Sequence, residues 1–564
     1  MKRFFVSFFF AIGWMAASAQ GLSFCNPLDL NYRFMIDEPS RREAADPVVV
    51  LFNDKYYLFA SKSGGYWISN DMVRWNFITN GTLPWEDYAP TAVVMGNEVY
   101  FMAMDKRIYR STDPSAGIWD VVKENMPIDN PGDPCLFLDE DGRLYLYSGL
   151  SARLPTYGVE VDTNTWELKG EQVECILSDK EKYGWERPKD DNSDKKHRPW
   201  VEGSWMNKIG GKYWMQYAVP GTQYKSYCDG LYVADRPLGP FRLVADNPFA
   251  YKPEGFICGV GHGCTFQDRY GNWWHAGTMT ISVRHQFERR IGLFPVFLGA
   301  DGTPHTYTGY GDFPHKMPNR KMGAEDDYLP QWMLLSYGKP VTASSTLNGH
   351  PEQNATDENI RTWWSAATEK PGEWLMVDLQ SKMDVAGVQV NFADEGATLK
   401  GRSSEDYYHY TVETSADGKK WKIFADRSVG RANTHEYHEL AKPVKAQFVR
   451  VTSNHQPSGK MAVSGLRVFG HAGGKRPAKI KGLSANRNQE DRCQTVINWE
   501  PVEGAVGYNV RYGTTPDRLW QNYQVLGNTS VSINSLNSEQ DYYLTVDAFN
   551  ENGITKGTDI KHLE

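Results

Sequence analysis

The chain has 564 residues, 40% of them hydrophobic and 23% charged, with a formal charge of −8. That length calls for several domains, and the apolar fraction excludes a disordered chain. The mildly acidic balance supplies no basic face of the kind nucleic acid requires, so no nucleic-acid partner is expected.

Taken in chain order, residues 1–19 read as a signal peptide. Lys2 and Arg3 precede an apolar stretch too short to span a bilayer, and Ala17-Ser18-Ala19 supplies small residues for cleavage. Phe24 before Cys25 is too bulky for a lipid-modification site. The expected location is therefore outside the cytoplasm, periplasmic or extracellular, and no later stretch is apolar enough for a transmembrane helix. Seven cysteines in so long a chain (Cys25, Cys135, Cys175, Cys228, Cys258, Cys264 and Cys493) do not make a disulfide framework. They read as small buried apolar residues, with Cys258 and Cys264 the one pair near enough in sequence to consider as a bond.

Five segments then repeat one shape. "ADPVVVLFNDKYYLFAS" begins at Ala45, "APTAVVMGNEVYFMAM" at Ala89 and "GDPCLFLDEDGRLYLYSG" at Gly132. "VEGSWMNKIGGKYWMQYA" follows at Val201 and "GHGCTFQDRYGNWWHAGT" at Gly261. Each is a β-prone run, a tight turn and an aromatic strand, which is hairpin grammar. Starts about 43 to 70 residues apart leave room for one four-stranded blade each, so the fold predicted for residues 20–322 is a five-bladed β-propeller.

First strands of a propeller line its channel and run the same way, so the residues that open them gather at one mouth. Those are Asp46, Pro90 with Thr91, Asp133, Glu202 and His262. Any one such acid is more often a turn residue than a catalytic one. Three at equivalent places of a cyclic repeat repel one another, and function is the usual compensation. The chemistry served by such a set is glycoside hydrolysis: one carboxylic acid protonates the leaving oxygen while a carboxylate activates water.

The same stretches resemble glycoside hydrolase family 43. "ADP" is similar to that family's base motif, "GDPCLF" to the motif of its orienting acid and "VEGSW" to its acid motif; "ADRPLGPF" and "YAP" are also similar to family phrases. The resemblance implies Asp46 as general base, Asp133 as modulator and Glu202 as general acid, with inversion at the anomeric carbon. It implies substrate contacts from Tyr88, Arg289 (favoured over Arg290 by its spacing to Pro295) and His262. His262 is equally readable as a channel residue near a structural Ca²⁺ or as a buried structural histidine; no cofactor is required for catalysis. The implied activity is that of an exo-acting α-L-arabinofuranosidase on plant cell-wall side chains. β-D-Xylosidase and β-galactosidase are alternatives, and a glycan-binding propeller without catalysis is the alternative of another class.

The charged segment 176–200 leads into the Glu202 strand, so it should border the cavity and help to choose the substrate. "SNDMVRW" at Ser69 is a turn motif common in β proteins. From residue 335 to 472, "KPVTASSTLNGHPEQNATDENIRTWWSA" and the strands after it resemble a discoidin (coagulation factor type C) β-sandwich and, through it, family 32 carbohydrate-binding modules. Trp364, Trp374 and Trp421 read as core there. Residues 477–564 resemble a fibronectin type III domain, with Trp499 in the core and Tyr542-Tyr543 at the tyrosine corner. The whole reads as all-β, one propeller and two β-sandwiches. In this modular picture, removing residues 323–564 spares activity on small substrates.

Overall fold

A computed structural model describes residues 21–401 and 407–564; the signal segment at 1–19 lies outside the described residues. Among them the regular structure is strand with a few 3-10 turns, and no helix is long and apolar enough to cross a membrane. Five four-stranded antiparallel sheets, each in simple sequence order, form the propeller. Their first strands are Ala45–Phe52, Thr91–Met95, Cys135–Leu138, Glu202–Ile209 and Cys258–Gln267. Each touches the next, and the last touches the first, which closes the ring.

The repeated hairpin explains why the ring packs. In blade I the turn residues Asn53 and Asp54 take φ of 48° and 57°, the left-handed pair that matches strand twist across a two-residue loop. The tyrosine-rich second strands place rings between blades. Phe59 lies 5.4 Å from Phe101 and 5.9 Å from Trp119, ring centre to ring centre, joining blades I and II. The "SNDMVRW" segment spends its polar groups on itself. Met72 N–H donates to Ser69 Oγ at 2.8 Å and Arg74 N–H to Asp71 Oδ1 at 2.8 Å. "SADGKKW" in the second domain repeats the arrangement at Ser415 and Asp417, which marks it as a turn device.

The second domain is a β-sandwich whose long strands Trp374–Phe392 and His435–His455 bend at register shifts and so serve both layers. Trp364 is buried as expected, whereas Trp374 and Trp421 are only half-buried, the latter beneath the Arg450 guanidinium at 4.2 Å. The third domain sets three strands (Ser484–Arg487, Thr495–Asn498, Ser530–Ile533) against a five-stranded sheet. Trp499 is buried against Tyr508, and the Tyr542 hydroxyl accepts the Asn537 N–H at 2.9 Å. All seven cysteines are free, six of them buried; Cys258 and Cys264 are not bonded.

The three domains are not beads on a string. Arg467 of the second domain, almost fully buried, pairs with Glu358 at 2.8 Å and donates to the Asp312 carbonyl of the propeller's exit segment. Arg42 pairs with Asp394 at 2.9 Å. Arg187 pairs with Asp491 of the third domain at 2.8 Å, Trp185 donates to Asn537 Oδ1 at 2.8 Å, and Trp520 stacks on His305 at 3.9 Å. Removal of 323–564 would strip partners from the buried Arg42 and Arg187, so its loss is expected to destabilise the propeller, against the modular picture.

Candidate active site

The mouth of the channel is built by one backbone device repeated five times. Asp46, Ala89, Asp133, Gly203 and His262 all take positive φ, between 44° and 62°. The first four stand at or beside the start of their first strands, whereas His262 lies four residues inside Cys258–Gln267 and so does not open its strand as the repeat suggested. In blades I, IV and V a register shift marks a bulge at this point. Glu202 therefore does not occupy the position equivalent to Asp46 and Asp133, as the sequence repeat suggested; it precedes it by one residue. Gly203 holds that place because a Cβ there would lie 2.7 Å from Cγ of the His262 ring. Thr91 is buried and accepts the Leu136 N–H at 2.9 Å, so it supports blade III rather than the cavity.

Six of the residues singled out from sequence line one cavity of about 560 Å³: Asp46, Tyr88, Asp133, Glu202, His262 and Arg289; Pro90 and Thr91 do not. Asp46 is buried but richly solvated by the protein. It accepts from Ser61 Oγ at 2.6 Å and from Arg289 Nη1 at 3.1 Å. Burial pushes its pKa up, but Arg289, His262 and the two hydroxyls of Ser61 and Thr278 outweigh that and hold the carboxyl below the usual range. Arg289 is aimed by Glu43 at 2.8 Å, a buried carboxylate that sequence reading missed. Arg290 turns away to His435, so Arg289 is the cavity arginine.

Glu202 has the opposite environment. Burial pushes its pKa up to about 7; a hydrogen bond from Tyr227 Oη at 2.6 Å pulls it down and the Asp46 charge adds to the rise. Asp133 is lifted well above the carboxylate range by burial and by the charges of Glu202 and Asp46. Its Oδ2 accepts the Gly203 N–H at 3.1 Å, which fixes the backbone next to the acid. A carboxyl with a raised folded-state pKa gives stability below its unfolded value near 3.8 and loses it as pH rises through the folded value. Asp133→Asn keeps an acceptor for Gly203 and cannot ionise. Its Tm should therefore exceed that of wild type by a margin that grows as pH rises from that unfolded value toward the raised folded one; thermal melts showing a pH-independent difference would refute this.

His262 Nδ1 lies 3.3 Å from Asp46 Oδ1 and 3.6 Å from Asp133 Oδ2, between two acids. Burial lowers its pKa against the opposing pull of the Asp46 charge. Behind it, the fully buried Asp229 accepts the N–H groups of His262 and Gly263 at 2.7 and 3.1 Å and so holds the bulge. Among the described residues no three His, Cys, Asp or Glu side chains are arranged around a common metal position. The apolar walls are Leu150, Met104, Trp200 and the ring pair Tyr88–Phe287 at 5.8 Å. Trp200, 41% exposed at the rim, and Pro188, His197 and Arg198 come from the 176–200 segment, which does border the cavity. Tyr227, Trp200, Phe287, Asp229 and Glu43 carry no motif, and only the folded geometry reveals them.

This arrangement sets a buried, proton-holding carboxyl and an ionised carboxylate in one cavity. Residues 39–304 match the family model of glycosyl hydrolases family 43, and residues 340–464 match that of the F5/8 type C domain. The propeller is a family 43 glycosyl hydrolase domain. The chain is 27% identical over 236 residues to the beta-D-galactofuranosidase xynD of Aspergillus niger, covering 35% of this chain and 62% of that protein. It is 32% identical over 132 residues to a beta-xylosidase of Xylanibacter ruminicola, 19% of this chain and 38% of that one. Mouse (Mus musculus) lactadherin is 24% identical over 143 residues, 24% of this chain and 27% of its own length. Each match thus spans less than two thirds of its curated relative. Among solved structures, the Bacteroides ovatus xyloglucan PUL GH43B aligns over 79% of this chain and 98% of its own, with 16% identity and a TM-score of 0.42.

Proposed function

We propose that this protein is an exported, inverting glycosidase that removes a terminal α-L-arabinofuranosyl residue from plant cell-wall polysaccharide side chains. The observation that carries the reading is the split between Glu202, lifted to about 7, and Asp46, held below the carboxylate range, in one cavity. Protonated Glu202 donates its proton to the glycosidic oxygen as the anomeric C–O bond breaks. Asp46 accepts a proton from the water that attacks the opposite face of the sugar, so one water is added across the bond. Asp133 holds Gly203, and with it the backbone of the acid; Arg289 keeps Asp46 ionised. A furanoside is supported by the similarity to a protein named a beta-D-galactofuranosidase, because β-D-galactofuranose and α-L-arabinofuranose share the same ring configuration. The beta-xylosidase relative supports β-D-xyloside as second choice.

The test is sugar release from 4-nitrophenyl α-L-arabinofuranoside, β-D-galactofuranoside, β-D-xyloside and β-D-galactopyranoside, with the first anomer formed followed by proton NMR. Arabinofuranoside as the best substrate, released with inverted configuration, is the expected result. Release of xylose alone replaces the sugar, and no release from any of them leaves a glycan-binding propeller instead.

A further inference from the structure

Beside the catalytic cavity lies a second one of about 800 Å³, within the size range of ligand clefts. The propeller contributes loops at 189–193, 223–224 and 282–286; the second domain contributes Arg361. Gln223, Tyr224 and Gln286 line both cavities, so the two adjoin at the mouth. Arg361 reaches across the domain boundary to Asp190 Oδ2 at 2.7 Å and to the Gln223 carbonyl at 3.2 Å. Its neighbour Trp363 lies under the Arg284 guanidinium at 5.0 Å and donates to Glu395 at 3.1 Å, which steadies this wall.

The chemistry of the cleft suits a neutral polyol. Three of its five charged lining residues are paired, Asp190 with Arg361 and Arg284 with Glu288 at 3.0 Å, and Lys189 and Asp191 add one charge of each sign. Ser282 Oγ donates to the Gln286 carbonyl at 2.9 Å and His285 Nδ1 accepts the Phe287 N–H at 3.2 Å. The hydroxyl-seeking groups that line the cleft are therefore the Gln223 and Gln286 amides and the other His285 nitrogen, beside Lys189 and Asp191, with one ring, Tyr224, for a sugar face. A terminal residue seated between Glu202 and Asp46 can extend only through the mouth, where the cleft begins.

We infer that the cleft binds the leaving-group sugars of an oligosaccharide, and that Arg361 makes the second domain part of the active site rather than a detached module. The inference rests on the glycosidase reading above. It predicts chain-length selectivity that depends on Arg361.

The experiment compares kcat/KM for α-1,5-L-arabinotriose with kcat/KM for 4-nitrophenyl α-L-arabinofuranoside, using the full chain. In Arg361→Ala the ratio of triose to aryl glycoside should fall about ten-fold or more, through a higher KM for the triose. Ser193→Trp fills the cleft from the propeller side without removing the Arg361 contacts, and the same fall is expected. A ratio unchanged in both variants overturns the cleft assignment, as does an equal loss on both substrates, and either leaves the glycosidase reading standing. If wild type cleaves neither probe, the arabinofuranosidase reading fails and this inference falls with it.

Discussion

Glu202→Gln lowers kcat/KM on unactivated oligosaccharides by about 10³-fold, a barrier change of about 4 kcal/mol, while a 2,4-dinitrophenyl glycoside loses far less. The asymmetry follows from the role: a glycosidic oxygen leaving as an alkoxide needs a proton, and a dinitrophenolate does not. The pH profile supplies the second readout. In wild type, activity requires Glu202 protonated and Asp46 ionised. It should therefore rise from acid pH on a limb set by Asp46, below the usual carboxylate range, and fall on a limb near pH 7 set by Glu202. In Glu202→Gln the alkaline limb should vanish on the dinitrophenyl substrate and the acid limb remain. Asp46→Asn should lose both substrates alike, because water still has to be activated. Equal losses on both substrates in Glu202→Gln, with an unmoved alkaline limb, would take the acid role away from Glu202.

The parts of this site that were legible in the sequence are those written in the repeat. Five hairpins with near-identical bodies can only be blades, and the residues that differ among them must be what the channel uses. That logic reached Asp46, Asp133, His262 and Glu202; the family resemblance called for an arginine, and spacing to Pro295 favoured Arg289 over Arg290. It erred by one residue in blade IV. A repeat aligned by letters cannot show that Gly203, not Glu202, takes the left-handed bulge position, because that follows from the space left by the His262 ring. The supporting cast was illegible for a different reason. Tyr227, Asp229 and Glu43 reach their partners 25, 33 and 246 residues away, and no local pattern encodes such a contact. The domain interfaces were hidden in the same way. Arg361 and Arg187 look like ordinary surface arginines in a linear reading, and only their partners Asp190 and Asp491 give them meaning.

Asp491→Ala is expected to damage both stability and catalysis although it lies in the third domain. Arg187 and Asp491 are 4% and 5% exposed at their side chains, and two hydrogen bonds at 2.8 and 3.1 Å join them in a fork. Removing the carboxylate leaves a guanidinium buried without its counter-charge, which costs about 3–5 kcal/mol. The damage should not stay local. Arg187 sits between Trp185, whose ring is wholly buried against the third domain, and Pro188, which lines the catalytic cavity. A loosened 176–200 segment carries His197, Arg198 and Trp200 away from the rim, so kcat/KM on aryl glycosides should fall at least ten-fold as Tm falls. The double variant Arg187→Met with Asp491→Leu separates charge from packing: without a buried charge it should recover most of the lost stability. A single Asp491→Ala variant with wild-type Tm and wild-type turnover would show that the third domain is a spacer after all. The outcome argued for here is that it is a buttress, holding in place the segment from which the propeller builds one wall of its active site.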